Sequence, residues 1–341
     1  MFITGTGMVC PIGLNAVSAC AAKRAGISAL AELPYSDNAG EPIIGASVPG
    51  LDWTLGRESR LLNLLTRALT DLLNNSPQDV EWEQVPLLVC LAEPGRPGGT
   101  AAVAPRIVEL LGEALSIQFD TKNSRAFPLG HTAGFEALRE ARNLIQRRSV
   151  LACIVCGADS FLNASSLFWL DEHYRLKTPA NRDGVIPGEA AAAVLVQNVP
   201  NPQVRTEVIG LGFGEEEAPI FSEKPLLGRG LTDAARLALA EANLGLHEMD
   251  VRLSDVTGEL YGFKELPLLE GRLMRVVRKE AQPLWHWAEA NGDTGAAAGV
   301  AQLVLADQAF RKGYAPGKRV ICLTSSVAGE RAVAVLRNCE A

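Results

Sequence analysis

Residues 175–196 read RLKTPANRDGVIPGEAAAAVLV, a charged loop with two glycines that passes directly into an apolar run. The glycines permit tight turns between elements of structure. Glu189 opens the apolar run, and a carboxylate that enters a core needs a charged or amide partner. Arg182 and backbone amides are the candidate partners. We therefore expect Arg182, Asp183 and Glu189 to pin a loop between layers rather than to act as acids or bases.

Strand-like and helix-like segments alternate along the rest of the chain, and this alternation is typical of layered α/β proteins. Apolar and amphipathic periodicity predicts the following helices: 57–75, 100–115, 130–147, 232–242 and 292–311. Short apolar runs predict the following strands: 85–91, 150–156, 204–213, 250–256, 319–324 and 332–336. The chain is therefore expected to have an α/β fold.

Two glycine-containing helix starts resemble each other. GHTAG at 130–134 and GDTGA at 292–296 are each followed by a helix and then by an apolar strand. The order of the neighbouring elements also matches. We interpret this as an internal duplication of two halves, 1–200 and 201–341, joined near the sequence VPNPQ at 199–203.

The composition limits the classes of partner. The chain has 341 residues, 48% of them hydrophobic and 21% charged, with a net charge of −7. A chain of this size can bury a large core without disulfides or metals. Its acidic balance argues against nucleic acid or an anionic membrane as the main partner. No signal peptide or membrane-spanning run is visible, so we expect a cytoplasmic protein without membrane insertion.

The cysteines indicate packing rather than disulfides. There are seven, an odd number, and most lie in apolar runs, which favours reduced thiols. Cys153 and Cys156 have the C-x-x-C spacing. Residues three apart in a strand point to opposite faces, so these two thiols are expected to diverge and not to bind a metal.

The 175–196 stretch resembles the β-ketoacyl synthase signature, in which Arg-Asp-Gly-Phe-Val precedes Gly-Glu-Gly-Ala and a strand. Three further segments resemble motifs of the same family in the same order: TGTGMVCPIG at 4–13, RAGIS at 24–28 and CGADS at 156–160. The resemblance covers nearly the whole chain. It implies a thiolase-like fold with two duplicated halves in an αβαβα arrangement of layers.

The resemblance also implies that the catalytic residues of a condensing enzyme are missing. The family cysteine lies in Cys-x-x-Gly at a helix start, where a thiolate is stabilised, and the sequence FPLG places Phe127 at that position. The two family histidines correspond to Asp255 and Asp293, and the family lysine to Ala288. The glycine-rich gate corresponds to a segment containing Val327. We therefore expect no condensation by the family mechanism, no cofactor and no metal.

A remnant of the pocket is nevertheless expected. Asp255 and Asp293 should approach each other, and His131 lies near the same helix start, with Glu189 and Asp183 as further candidates. Paired carboxylates can share a proton, bind a metal or perform acid–base chemistry. The alternative is that both aspartates cap loops or the helix start that follows Asp293.

Three functions remain open on this basis. The favoured one is a non-catalytic, homodimeric adaptor or chaperone-like protein, by association with type VI secretion effectors in bacteria. Its dimer interface would be the strand 150–156. The second is an atypical acyl-processing enzyme that uses Asp255 and Asp293. The third is a partner of a condensing enzyme that resembles a chain-length factor, with a carrier protein as a further partner.

Overall fold

The computed structural model describes residues 1–77, 79–198 and 206–339. Its strands are β1 (Phe2–Val9), β2 (Ala31–Ser36), β3 (Pro42–Gly45), β4 (Leu87–Leu91), β5 (Arg125–Pro128), β6 (Ala152–Ser160), β7 (Glu189–Gln197), β8 (Thr206–Glu215), β9 (Val251–Ser254), β10 (Leu284–His286), β11 (Arg319–Ser325) and β12 (Glu330–Asn338). Its α-helices are α1 (Ala16–Arg24), α2 (Arg57–Asn74), α3 (Ile107–Leu115), α4 (Ala133–Gln146), α5 (Ala164–Glu172), α6 (Arg229–Glu241), α7 (Leu260–Leu273), α8 (Ala288–Asn291) and α9 (Ala298–Arg311).

Ten of these strands form one mixed sheet, in the order β10-β9-β11-β12-β8-β1-β7-β6-β4-β5. In the first five-stranded set, β1, β7 and β6 are antiparallel neighbours, and β6, β4 and β5 are parallel neighbours. In the second set, β8, β12 and β11 are antiparallel, and β11, β9 and β10 are parallel. The two sets therefore share one strand order and one set of directions, as an internal duplication requires.

The helices form three layers around the two sets of strands. α4 and α9 contribute to a central core together with side chains from both sets, such as Leu88 and Cys322. α2 and α3 cover the other face of the first set, and α6 and α7 cover the other face of the second. The result is the predicted αβαβα arrangement.

The two central helices begin later than predicted. Each is preceded by a short 3₁₀ turn, at Gly130–Thr132 before α4 and at Gly295–Ala297 before α9. Gly130 and Gly295 have positive φ values of 58° and 47°, a region that side-chain-bearing residues seldom adopt. A Cβ at Gly295 would also lie 2.0 Å from an Asp159 carboxylate oxygen. These constraints explain why small residues recur at both starts.

Several boundaries differ from the sequence expectations. The predicted helix at 100–115 is a 3₁₀ segment followed by α3, because Pro105 cannot continue a regular α-helix. The predicted strand at 150–156 is β6, in which Cys153 and Cys156 lie in different cores, so the predicted divergence of the two thiols is confirmed. The predicted junction at 199–203 lies outside the described residues, and the division at residue 200 stays a prediction.

The prediction that the strand 150–156 forms a dimer interface is wrong. β6 pairs with β4 on one side and with β7 on the other. A strand whose backbone is bonded on both sides cannot add a partner strand. The 150–156 run is therefore apolar because it crosses the core. Among the described residues, the edge strands of the large sheet are β5 and β10.

Glu189 is buried at the start of β7, as the apolar run predicted, but its partner differs. Arg60 on α2 donates from Nε to Oε2 at 2.6 Å and from Nη2 to Oε1 at 2.8 Å. The Val48 amide and the Ser160 hydroxyl also donate to the carboxylate, at 2.9 and 2.8 Å. Arg182 is exposed, so its predicted pairing with Glu189 is wrong. The ion pair between Glu189 and Arg60 therefore joins α2 to the sheet.

Replacement of Arg60 by methionine tests this joint. Arg60→Met keeps an unbranched apolar side chain but leaves the Glu189 carboxylate buried without its cation. We expect the free energy of unfolding to fall by about 3–5 kcal/mol in chemical denaturation. Arg236→Met is the matched control, because Arg236 pairs with Asp233 on an exposed face and should change stability by at most about 0.5 kcal/mol. Equal losses in both variants would contradict a structural role for the buried pair.

Candidate active site

A small cavity of about 60 Å³ lies where the two halves meet. The turn before α4 contributes His131, and the segment after β9 contributes Asp255. The segment before the α9 turn contributes Asp293, and the loop between β11 and β12 contributes Val327. The cavity therefore contains four of the predicted site residues.

His131 and Asp293 form a buried ion pair. His131 Nε2 lies 2.8 Å from Asp293 Oδ1, which also accepts the Gly295 amide at 2.9 Å. Burial by itself lowers the pKa of His131. The Asp293 carboxylate acts in the opposite direction and outweighs burial, so the pKa rises to about 9. Burial raises the pKa of Asp293, and the charge and hydrogen bond of His131 outweigh this and keep it below its ordinary value. The pair is thus imidazolium and carboxylate at neutral pH.

Asp255 is the third charged group of the cavity and is differently placed. Burial raises the pKa of Asp255 to about 6, although the nearby charge of His131 and the Ser325 amide, which donates to Oδ2 at 2.8 Å, act in the opposite direction. A carboxyl group with this pKa gains or loses a proton near neutrality. Asp255 and Asp293 therefore line one cavity, as predicted, and His131 is hydrogen-bonded to Asp293 rather than to Asp255.

Two further ion pairs line the cavity and were not expected from the sequence. Arg175 donates to Glu259 through Nε and Nη2, both at 2.7 Å. Arg331 donates from Nε to Glu265 at 2.8 Å. Arg331 directly precedes the apolar run of β12, so a charge at the edge of a buried strand, in need of a partner, was the available signal. The walls are accordingly charged, and the volume is well below the roughly 300–1,000 Å³ of ligand pockets.

The other predicted residues lie elsewhere. Phe127 is buried on β5, in the central core, and does not line the cavity. Ala288 begins α8, and Glu189 lies at the Arg60 pair; neither lines the cavity. Asp183 lies at a separate surface depression. This corrects the expectation that Phe127 stands at the position of the family cysteine in the site.

His131 takes the place expected for Phe127. It lies in the turn that leads into α4, beside both aspartates. The Cys-x-x-Gly spacing, which led to Phe127, is matched equally by His131-Thr-Ala-Gly134. The sequence contained this second alignment, and the geometry separates the two because only His131 reaches the cavity.

No thiol reaches this site. None of the seven cysteines lines the cavity. Burial raises the pKa of the Cys10 thiol to about 12 and keeps that of Cys322 well above its ordinary value. Within the described ranges, no group of three or more His, Cys, Asp or Glu side chains is placed to hold a metal ion. No helix in this part of the chain has the length and hydropathy needed to cross a membrane.

The buried pair predicts a pH dependence of stability. The pKa of His131 is raised from 6.5 to about 9 in the folded protein. Its stabilisation is therefore complete below pH 6.5 and is lost as the pH rises through about 9. We expect the free energy of unfolding to fall across this window by on the order of 3 kcal/mol. His131→Gln should flatten the profile, and an unchanged slope in this variant would show that other groups cause it.

Comparisons with known proteins place the fold. No family model matches the chain. A Schizosaccharomyces pombe protein named "Putative 3-oxoacyl-(acyl-carrier-protein) synthase, mitochondrial" is 23% identical over 244 residues, which are 64% of this chain and 57% of that protein. The chain thus spans little more than half the length of this curated relative.

Solved structures match over almost the whole chain. A ketosynthase domain of the Streptomyces albus oxazolomycin system has a TM-score of 0.82 at 14% identity, covering 99% of this chain and 74% of that one. A Xenorhabdus doucetiae ketosynthase in complex with its chain length factor has a TM-score of 0.78 at 17% identity, covering 99% and 98%. The protein therefore has the thiolase-like fold of the β-ketoacyl synthases.

Proposed function

We propose that this protein acts by binding another protein and does not catalyse condensation. The observation that carries the proposal is the His131–Asp293 ion pair at the head of α4. A condensing enzyme needs a thiolate at this kind of position, where the helix start lowers the thiol pKa. An imidazolium already carries its proton and has no free electron pair with which to attack a thioester.

The size and charge of the cavity support the same proposal. A volume of about 60 Å³ holds a few water molecules, whereas an acyl chain with a thioester needs a longer apolar space. Arg175, Glu259, Arg331 and Glu265 would have to be desolvated against such a chain. Burying an apolar chain against paired charges recovers little of the hydrophobic free energy that normally drives acyl binding.

The partner in this proposal is a second chain of the same fold. The edge strand β5 offers unpaired backbone groups to a neighbouring strand. One similar structure is a ketosynthase bound to its chain length factor, and another is the ishigamide ketosynthase/chain length factor. A homodimer, or a complex with a condensing enzyme, fits these features. An adaptor for secretion effectors in the cytoplasm is the variant of this proposal implied by the sequence resemblance.

A second candidate function is an enzyme that uses a changed set of catalytic residues, and the raised pKa of Asp255 favours it. A carboxyl group with a pKa of about 6 beside an imidazolium is a plausible acid–base pair. In this alternative, Asp255 would accept a proton from water or from a small substrate, and the His131–Asp293 pair would stabilise negative charge.

Acyl loading tests the non-condensing proposal. The protein is incubated with malonyl and octanoyl thioesters and its intact mass is measured, with a cysteine-dependent ketosynthase as the positive control. We expect no added acyl mass, because no thiol lines the cavity. A stoichiometric acyl adduct that maps to any cysteine would contradict the proposal.

Two asparagine variants separate binding from acid–base chemistry. At pH 8, Asp255→Asn removes a buried charge and should stabilise the fold by about 1–2 kcal/mol, since a raised carboxyl pKa costs stability above it. Asp293→Asn leaves His131 unpaired and should destabilise by about 3–5 kcal/mol. Thioester hydrolysis should stay at the buffer rate in wild type and in both variants. Wild-type hydrolysis that Asp255→Asn abolishes would favour the second candidate function.

A further inference from the structure

A second depression, of about 340 Å³, borders the cavity from the outside. We call it the aromatic groove, and define it by Tyr174, Phe221, Leu260 and Lys264 with Arg175 and Glu259 at its floor. Tyr174 is 83% exposed and Phe221 is 51% exposed. Large apolar side chains that remain exposed together commonly mark a binding surface.

The floor of the aromatic groove holds a charged group with a fixed geometry. The Arg175 guanidinium lies 5.8 Å from the Trp169 ring centre and 5.5 Å from that of Phe221. Burial by itself lowers the pKa of Arg175. The hydrogen bonds to Glu259 outweigh burial, so the pKa of Arg175 is raised. The rings hold the guanidinium in place, and a planar fork in such a setting recognises a carboxylate through two parallel hydrogen bonds.

Glu259 supplies that carboxylate in the present structure. It precedes α7 without capping it. The cap is Asp183 instead, whose Oδ1 accepts the Leu260 amide at 2.6 Å. Among the described residues, Arg175 is the hydrogen-bond partner of Glu259. Rotation of this one side chain would expose the Arg175 fork to the aromatic groove.

We propose that the aromatic groove binds a small apolar carboxylic acid whose carboxylate replaces Glu259 on Arg175. The volume lies in the range of roughly 300–1,000 Å³ that small-molecule sites occupy. Tyr174, Phe221 and Leu260 would contact the apolar body, and the Lys264 ammonium adds a second positive charge at the wall. Asp183, the other carboxylate of the groove, has its Oδ1 engaged by the Leu260 amide. This site does not depend on the proposed protein partner.

Calorimetric titration with 1-naphthylacetate tests the proposal, and the neutral 1-naphthylacetamide is the matched control ligand. We expect naphthylacetate to bind wild type, and Glu259→Gln to lower its Kd by about tenfold because the competing carboxylate is gone. Phe221→Ala should raise the Kd by about fivefold through loss of the ring contact. Leu237→Ala, an exposed change on α6, should leave the Kd unchanged. Naphthylacetamide should bind more weakly than naphthylacetate, and its Kd should not fall in Glu259→Gln.

Absence of naphthylacetate binding to both wild type and Glu259→Gln at concentrations up to about 5 mM would overturn the proposal. A Kd that is the same in wild type, Glu259→Gln and Phe221→Ala would overturn it as well. Thermal unfolding of each variant establishes that the fold is intact. Arg175→Met should abolish the gain seen in Glu259→Gln when the two changes are combined. None of these results alters the acyl-loading experiment, so the two proposals fail separately.

Discussion

The buried ion pair between His131 and Asp293 joins the starts of the two central helices at the meeting point of the two halves. His131 lies in the short turn that leads into α4, and Asp293 lies two residues before the matching turn that leads into α9. The backbone of Asp293 also bonds the loop before β7, through the Gly188 amide and the Ile186 carbonyl. One buried carboxylate therefore ties the heads of both central helices to the 175–196 loop. Such a pair is maintained only while both charges are present, because either one alone is costly to bury.

This constraint also explains why the cavity is small and polar. Once an imidazolium and a carboxylate occupy the meeting point of the halves, the surrounding charges must be paired as well. Arg175 and Arg331 each find a glutamate in the wall, and Asp255 accepts a backbone amide. Each pair is locally satisfied, and together they leave space for water rather than for an acyl chain. The thiolase-like fold thus surrounds a small cavity with charged walls.

Much of the architecture could be predicted from the sequence, for identifiable reasons. The alternation of elements and the two glycine-containing helix starts reflect local backbone requirements, which sequence patterns record directly. Partners that are distant along the chain were not predictable in this way. Glu189 was expected to be buried, but its partner Arg60 is 129 residues away on α2, and nothing local to either residue indicates the contact. Arg182, which is near in sequence, was the wrong choice for that reason.

The site shows the same division. Asp255, Asp293 and Val327 were found through motifs whose spacing survives, whereas the short Cys-x-x-Gly spacing pointed to Phe127 although His131 matches it as well. The geometry that separates them depends on the fold of both halves together. The wall pairs, Arg175 with Glu259 and Arg331 with Glu265, required knowledge of how α7 packs.

The proposed function requires a charged imidazole where a condensing enzyme needs a thiolate. An NMR titration of the His131 ring, assigned by comparison with His131→Gln, measures this charge directly. We expect the ring to be protonated at neutral pH and to titrate at about 9. A ring that is neutral at pH 7.5 and titrates below its ordinary value of 6.5 would contradict it, because the ion pair with Asp293 would then not exist.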